Sequence, residues 1–166
     1  MAEVNLTVAT PGAMNDLGRR VAAELRAGDV VVLTGDLGAG KTTLTRGLGE
    51  ALGVRGAVTS PTFVIARTHP RADNLPSLVH VDAYRLSDPL ELDDLDIDFA
   101  GSIVVVEWGK GMVDALAPQR LEIDIDRPHG ARHGSGLDGV TDIELDVEPR
   151  KVTIRAVGER WAGVTW

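Results

Sequence analysis

Residues 35–42 read Gly35-Asp36-Leu37-Gly38-Ala39-Gly40-Lys41-Thr42, an unbroken match to the phosphate-binding pattern G-x-x-x-x-G-K-[ST]. No other stretch restricts the fold of this chain as much, because the pattern works only between a buried strand and a helix start. Both neighbours are present. Before it runs Asp29-Val30-Val31-Val32-Leu33-Thr34, an apolar, β-branched segment of the kind buried on both faces of a parallel sheet. After it, Leu44, Leu48, Ala51 and Leu52 fall at helical spacing over residues 41–52, and Gly53 supplies a stop.

The residue types follow from what a polyphosphate requires. Glycines 35, 38 and 40 open backbone conformations closed to other residues, so that successive N–H groups turn inward on the anion. The helix beginning near Lys41 adds the positive end of its dipole. Lys41 is expected to reach the β- and γ-phosphates as a point charge, the Thr42 hydroxyl to ligate Mg²⁺, and Thr43 to lie near the α-phosphate. A nucleoside triphosphate is the expected ligand.

Composition narrows the remaining classes. The 166 residues suffice for one ordinary domain with a full core, and the expectation is a single domain over residues 1–166. With no cysteine, disulfides, thiolate zinc sites and cysteine nucleophiles are excluded. The first residues lack a basic region followed by an apolar stretch, and no apolar run approaches membrane-spanning length, so a soluble, cytoplasmic protein without membrane contact is expected. A formal net charge of −8 disfavours direct contact with RNA or DNA by this chain alone.

Along the chain, residues 4–8 read as a short edge strand and residues 13–26 as a helix with Leu17, Val21, Ala22 and Leu25 on one face. Residues 63–67 and 78–82 read as strands joined as a hairpin across a polar loop with Pro70, Asn74 and Pro76. Ser87-Asp88-Pro89 marks the start of a short helix ending near Leu95. Residues 102–107 form the second strongly apolar strand, closed by Glu107. Segments 120–126, 140–147 and 151–157 alternate apolar and polar residues as half-exposed antiparallel strands do, and residues 128–139, Gly-rich with His129 and His133, read as a mobile loop. The fold class is α/β: a P-loop NTPase-like, three-layer arrangement whose mostly parallel central sheet is extended by antiparallel strands from about residue 120.

A phosphate loop that does chemistry needs an acidic residue at the end of a neighbouring strand, where ligands bind in such sheets. Glu107 ends the run from Ile103 to Val106, and Asp82 ends the run from Leu78 to Val81. Thr59-Ser60-Pro61-Thr62 follows the loop's helix, where many such proteins carry a segment that senses the γ-phosphate; by local sequence it is equally an ordinary turn.

Taken together, residues 35–43, Ser60-Pro61-Thr62-Phe63, His80-Val81-Asp82-Ala83-Tyr84-Arg85-Leu86, Asp88-Pro89-Leu90-Glu91-Leu92 and Val106-Glu107-Trp108 resemble the TsaE (YjeE) family over about residues 13–125. The resemblance implies a P-loop ATPase acting with TsaD and TsaB in forming N6-threonylcarbamoyladenosine at position 37 of certain tRNAs, which the partners would hold. It makes residues 36–43 (Asp36, Leu37, Gly38, Ala39, Gly40, Lys41, Thr42 and Thr43) the ATP cradle and sets Thr42 and Glu107 on Mg²⁺ with Asp82 beside them. Asp82 would orient the attacking water or support the metal. Lys41, Asp82 and Glu107 are the implied catalytic residues, and Thr59, Ser60, Pro61 and Thr62 a switch-like loop. Trp108 would position Glu107 or pack, while Tyr84 and Arg85 would contact nucleotide or partner. One departure from the family pattern falls at Asp96, where glycine is common; glycine takes positive φ cheaply, and aspartate can also manage it. The 128–139 loop is long for the family, and nothing carries over beyond about residue 126.

Two other classes compete. A small-molecule kinase of the P-loop class needs an arginine-rich lid, for which the chain offers only residues 127–132. A GTP-operated switch needs an N-K-x-D-type segment, and the sequence contains none.

Overall fold

The computed structural model describes residues 2–59, 61, 65–127 and 149–166. The 128–139 loop and the 140–147 strand expected from sequence lie outside the described residues, as do Ser60, Thr62, Phe63 and Val64. The elements are β1 (Ala2–Val8), α1 (Pro11–Glu24), β2 (Val30–Thr34), α2 (Lys41–Leu52), β3 (Ala66–His69), β4 (Leu78–Asp82), α3 (Pro89–Asp93), β5 (Ile103–Glu107), β6 (Arg120–Asp126) and β7 (Arg150–Val157). The seven strands form one sheet in the order β1-β7-β6-β2-β5-β4-β3. Its centre is parallel, with β2 paired to both β5 and β6, and β5 to β4. Antiparallel strands flank that centre: β3 on β4 as the expected hairpin, then β7 on β6 and β1 on β7.

Alternation along the strands divides the core. Val31, Leu33, Ile103, Val105, Leu121 and Ile123 pack with Leu17, Val21, Leu44 and Leu48 of α1 and α2. Val30, Val32, Val79, Val81, Val104 and Val106 turn the other way, onto Leu92 of α3 and onto Val113 and Ala117 of the turns after β5. Among the described residues, the layer on that second face is one short helix and turns. Thr10 opens α1, its hydroxyl accepting from the Ala13 N–H, and Asp88 caps α3 by accepting from Leu90 N–H. The α3 helix ends at Asp93, and Asp96 takes the left-handed conformation with φ of 56°.

The structure corrects the expected surroundings of residues 120–126. Period two told correctly that Leu121, Ile123 and Ile125 share an apolar face, yet β6 runs parallel to β2 and is covered on both sides by sheet neighbours. Its polar face is not simply solvated: Glu122 is buried, and Arg120 donates to its Oε1 at 3.0 Å. Alternation fixes which side of a strand is apolar and is silent about the direction of the strand beside it.

Near residue 160, a partly buried ion pair ties the last turn to the strand that feeds the phosphate loop. Arg160 Nε donates to Asp29 Oδ1 at 2.9 Å and Nη2 to Oδ2 at 2.8 Å, a two-pronged contact just before β2.

The helix pair α1–α2 meets backbone to backbone. A Cβ at Gly18 would overlap the Leu44 carbonyl oxygen, and one at Gly47 would overlap that of Asn15. Alanine is the better helix former by about 1 kcal/mol, yet here the added methyl forces the helices apart. Gly18→Ala and Gly47→Ala are each expected to destabilise by roughly 1–3 kcal/mol, as overpacking does. Urea denaturation checks this; a gain in stability from either would contradict the close approach.

Candidate functional site

The loop between β2 and α2 turns on two glycines, Gly38 at φ 79° and Gly40 at φ 122°. Gly35 is there for a different reason than expected. Its φ is not positive, and a Cβ on it would stand 2.8 Å from Ile125 O of β6. Gly40 has no side chain with which to cap α2, and among the described residues no side chain is seen to accept from the N–H groups that open the helix. Such an end attracts an anion through its amides and its dipole.

Across the opening, parallel pairing of β4 and β5 places Asp82 opposite Glu107 in register. Both are the last residues of their strands, both are buried, and both share the side of the sheet that carries α1 and α2. Asp82 is held from its own chain: Tyr84 N–H donates to Oδ1 at 3.0 Å, and the Asp82 N–H donates to Ile65 O at 2.7 Å. Ile65 thus ties Pro61 to the acid, its own N–H donating to Pro61 O at 2.9 Å. It sits at φ 65°, a strained conformation for a β-branched residue.

Lys41 faces these acids. Its ammonium donates to Gly35 O and, at 3.5 Å, to Asp36 O, and lies 4.4 Å from the centre of the Trp108 ring. Burial pushes its pKa below the usual lysine value, while Glu107, Asp82 and Asp36 pull it back up. Trp108 reaches this place because the chain reverses at once after β5: its φ is 60°, and its N–H donates to Leu33 O at 3.0 Å. Exposed Tyr84 meets the Trp108 ring edge-on at 5.5 Å.

Together these groups line a cleft of about 590 Å³. Among the expected site residues it gathers Asp36, Leu37, Gly38, Gly40, Lys41, Thr42, Thr43, Asp82, Tyr84, Glu107 and Trp108. Ala39 is buried behind the loop, and Arg85, Thr59 and Pro61 do not line the cleft. Ser60 and Thr62 lie outside the described residues.

Three residues that sequence reasoning left unassigned stand at the site. Arg150 at the start of β7 donates from Nε to Ala39 O at 3.1 Å and from Nη2 to Gly38 O at 3.4 Å, holding the loop's carbonyls outward. Met14 of α1 packs beneath Gly40, and with Thr10 and Arg150 it lines a second cavity of about 90 Å³ on the far side of the loop. His80 lies wholly buried beside Glu107. Only His80 carried a local signal, being part of a quoted motif.

The donor set suits a magnesium ion. Two adjacent buried carboxylates repel unless a cation offsets them, and Mg²⁺ needs only one or two carboxylates, the rest of its oxygens coming from water and phosphate. Among the described residues no group of three or more His, Asp or Glu side chains could hold a metal without such help.

If the cleft takes a triphosphate, the phosphates restore to Lys41 the charge stabilisation that burial removed, so its pKa is higher in the complex than in the free protein. Between those two values, complex formation takes up a proton, and affinity falls as pH rises through the free-state value. Calorimetry at alkaline pH in buffers of different ionisation enthalpy is expected to show net proton uptake; zero uptake or release would contradict the placement of Lys41 against the phosphates.

Comparison with known proteins gives one consistent result. The family model for Threonylcarbamoyl adenosine biosynthesis protein TsaE matches residues 8–133. A Streptomyces coelicolor protein named tRNA threonylcarbamoyladenosine biosynthesis protein TsaE is 57% identical over 152 residues, covering 90% of this chain and 94% of its own length. A Bacillus subtilis protein of the same name is 35% identical and covers 97% of this chain and 90% of its own. The crystal structure of Bacillus subtilis YdiB superposes with a TM-score of 0.69 at 32% identity, over 96% of this chain and 89% of that one. The chain belongs to the TsaE family.

Proposed function

We propose that this TsaE-family member is an Mg²⁺-dependent ATP-binding and ATP-hydrolysing subunit for N6-threonylcarbamoyladenosine formation on tRNA. It acts in the cytoplasm with TsaD and TsaB and meets tRNA only through the complex. The observation that carries the reading is the single cleft in which Lys41 and the uncapped start of α2 confront the paired acids Asp82 and Glu107. The names of the relatives supply the pathway. Among the described residues, no helix is long and apolar enough to cross a membrane.

In this reading the amides of residues 36–43 and the Lys41 ammonium bind the phosphates, and the Thr42 hydroxyl and Glu107 carboxylate hold the metal. When bound, Mg²⁺ neutralises charge on the phosphate oxygens. Asp82, with one oxygen already engaged by Tyr84 N–H, has the other to orient the attacking water. Trp108 stacks against Lys41 and keeps its ammonium over the loop. A net charge of −8 fits a subunit that supplies nucleotide-driven conformational change while partners hold the tRNA. The metabolite-kinase alternative is less well supported: its lid candidate is confined to residues 127–132, and the relatives are named for tRNA modification.

Lys41→Ala is expected to abolish productive ATP use, lowering turnover by at least about 100-fold, as loss of one strong charge-stabilising donor does. Glu107→Ala should weaken Mg²⁺-dependent nucleotide binding. Asp82→Ala should spare binding more than hydrolysis; equal loss of both would make Asp82 a metal ligand. The functional test is ATP hydrolysis by the purified chain with and without TsaD, TsaB and substrate tRNA, with modified nucleoside scored in parallel. Partner-stimulated hydrolysis supporting repeated modification is expected, and modification that proceeds equally well without this chain would overturn the reading.

A further inference from the structure

His80 is fully buried in the middle of β4, and neither ring nitrogen has a well-aligned hydrogen bond. An imidazole in such a place costs free energy that a leucine would not, unless one nitrogen serves a partner. One carboxylate is close: His80 Nε2 lies 3.3 Å from Glu107 Oε2, itself in a side chain only 4% exposed, while on β3 Arg67 pairs with His80 in register and His69 is within its electrostatic reach. The register explains the meeting. His80 pairs with Val105 and Asp82 with Glu107, so the imidazole stands one same-face position behind the carboxylate pair, on the side away from the cleft mouth.

The burial pattern also selects a tautomer. Nδ1 has no partner, so a proton there would be a buried donor left unsatisfied, and the bare Nε2 would then face the lone pairs of a carboxylate. With the proton on Nε2, the carboxylate meets a donor instead of a lone pair, and Nδ1 is left as a bare acceptor, a cheaper group to leave unpartnered than an N–H. The 3.3 Å separation is within reach while the alignment in the free protein is poor, so the pairing requires the bond to align when a ligand arrives, as catalytic hydrogen bonds tighten then.

We infer that His80 is a positioning residue that holds Oε2 of Glu107 through Nε2–H, leaving Oε1 directed into the cleft for the metal. The inference rests on the reading of Glu107 as a metal-holding residue. It explains why a polar ring occupies a β4 position whose same-face neighbour Leu78 belongs to the apolar cluster under α1 and α2. Partners that orient a ligating carboxylate are worth about 10–100-fold in metal affinity.

The test uses the whole chain and three variants. His80→Leu keeps the volume and removes the donor, His80→Gln keeps an N–H near the place of Nε2, and Glu107→Gln removes the metal-binding charge. Calorimetry with a non-hydrolysable ATP analogue, with and without Mg²⁺, is expected to show His80→Leu losing about tenfold or more of the Mg²⁺-promoted affinity. Its Mg²⁺-free binding should stay near wild type, and His80→Gln should recover most of the loss. Imidazole ¹⁵N shifts of the metal-free wild type, assigned against His80→Leu or, if that variant does not fold, against His80→Gln, are expected to show Nε2 protonated and Nδ1 bare. A bare Nε2, or full Mg²⁺ promotion in His80→Leu while Glu107→Gln loses it, would overturn the inference alone. Full Mg²⁺ promotion in Glu107→Gln would instead remove the underlying reading of Glu107.

Discussion

Two buried carboxylates side by side at the ends of β4 and β5 are the constraint around which this molecule is organised. Adjacent parallel strands stand about 4.8 Å apart, so the Asp82 and Glu107 side chains leave the sheet as near neighbours of like charge. Each is paired with something that makes the placement tolerable. Asp82 accepts from Tyr84 N–H, Glu107 has His80 behind it, and both draw on the Lys41 ammonium in front. The same attraction partly offsets the burial that lowers the Lys41 pKa. The two acids and the lysine form a set in which each member's cost is offset by the others and, in the proposed complex, by phosphate and metal.

That set keeps its geometry only because the loop carrying Lys41 is held from several sides. From β7, Arg150 grips the Gly38 and Ala39 carbonyls; from β6, Ile125 crowds Gly35; from α1, Met14 fills the space beneath Gly40. α2 cannot slide, because Gly18 and Gly47 seat it against α1 at backbone contact. After β5 the chain takes left-handed geometry at Trp108, which returns the indole over Lys41. Of the bulky residues held at positive φ, Trp108 lines the cleft and Ile65 accepts the Asp82 N–H; the other non-glycine cases, Asp73, Asn74 and Asp96, are residue types that take this conformation more cheaply.

Much of this was legible in the sequence, and the limits have physical causes. β2, the loop and α2 were readable almost to the residue, because glycine, lysine and threonine at fixed spacing leave few conformations open. Glu107 and Asp82 were readable as strand-end acids, and Asp96 did take the positive φ that the family's glycine suggests. What sequence could not supply was adjacency. Period two told the apolar face of β6 and not that β2 would run parallel beside it. The sequence placed His80 in a strand and not against Glu107, which requires knowing the β4–β5 register. Arg150 is more than a hundred residues from the carbonyls it holds, a pairing no local pattern encodes. Gly18 and Gly47 carry no local signal of their role, which is to let the two helices touch.

The most direct measurement of the central claim is a crystal structure of this chain with Mg²⁺ and a non-hydrolysable ATP analogue. The account predicts the β- and γ-phosphates within the amides of residues 36–43 and against Lys41, with the metal on the Thr42 hydroxyl and Glu107 and with Asp82 beside it. Nucleotide seated elsewhere, or metal bound to the phosphates with Glu107 turned away, would contradict it.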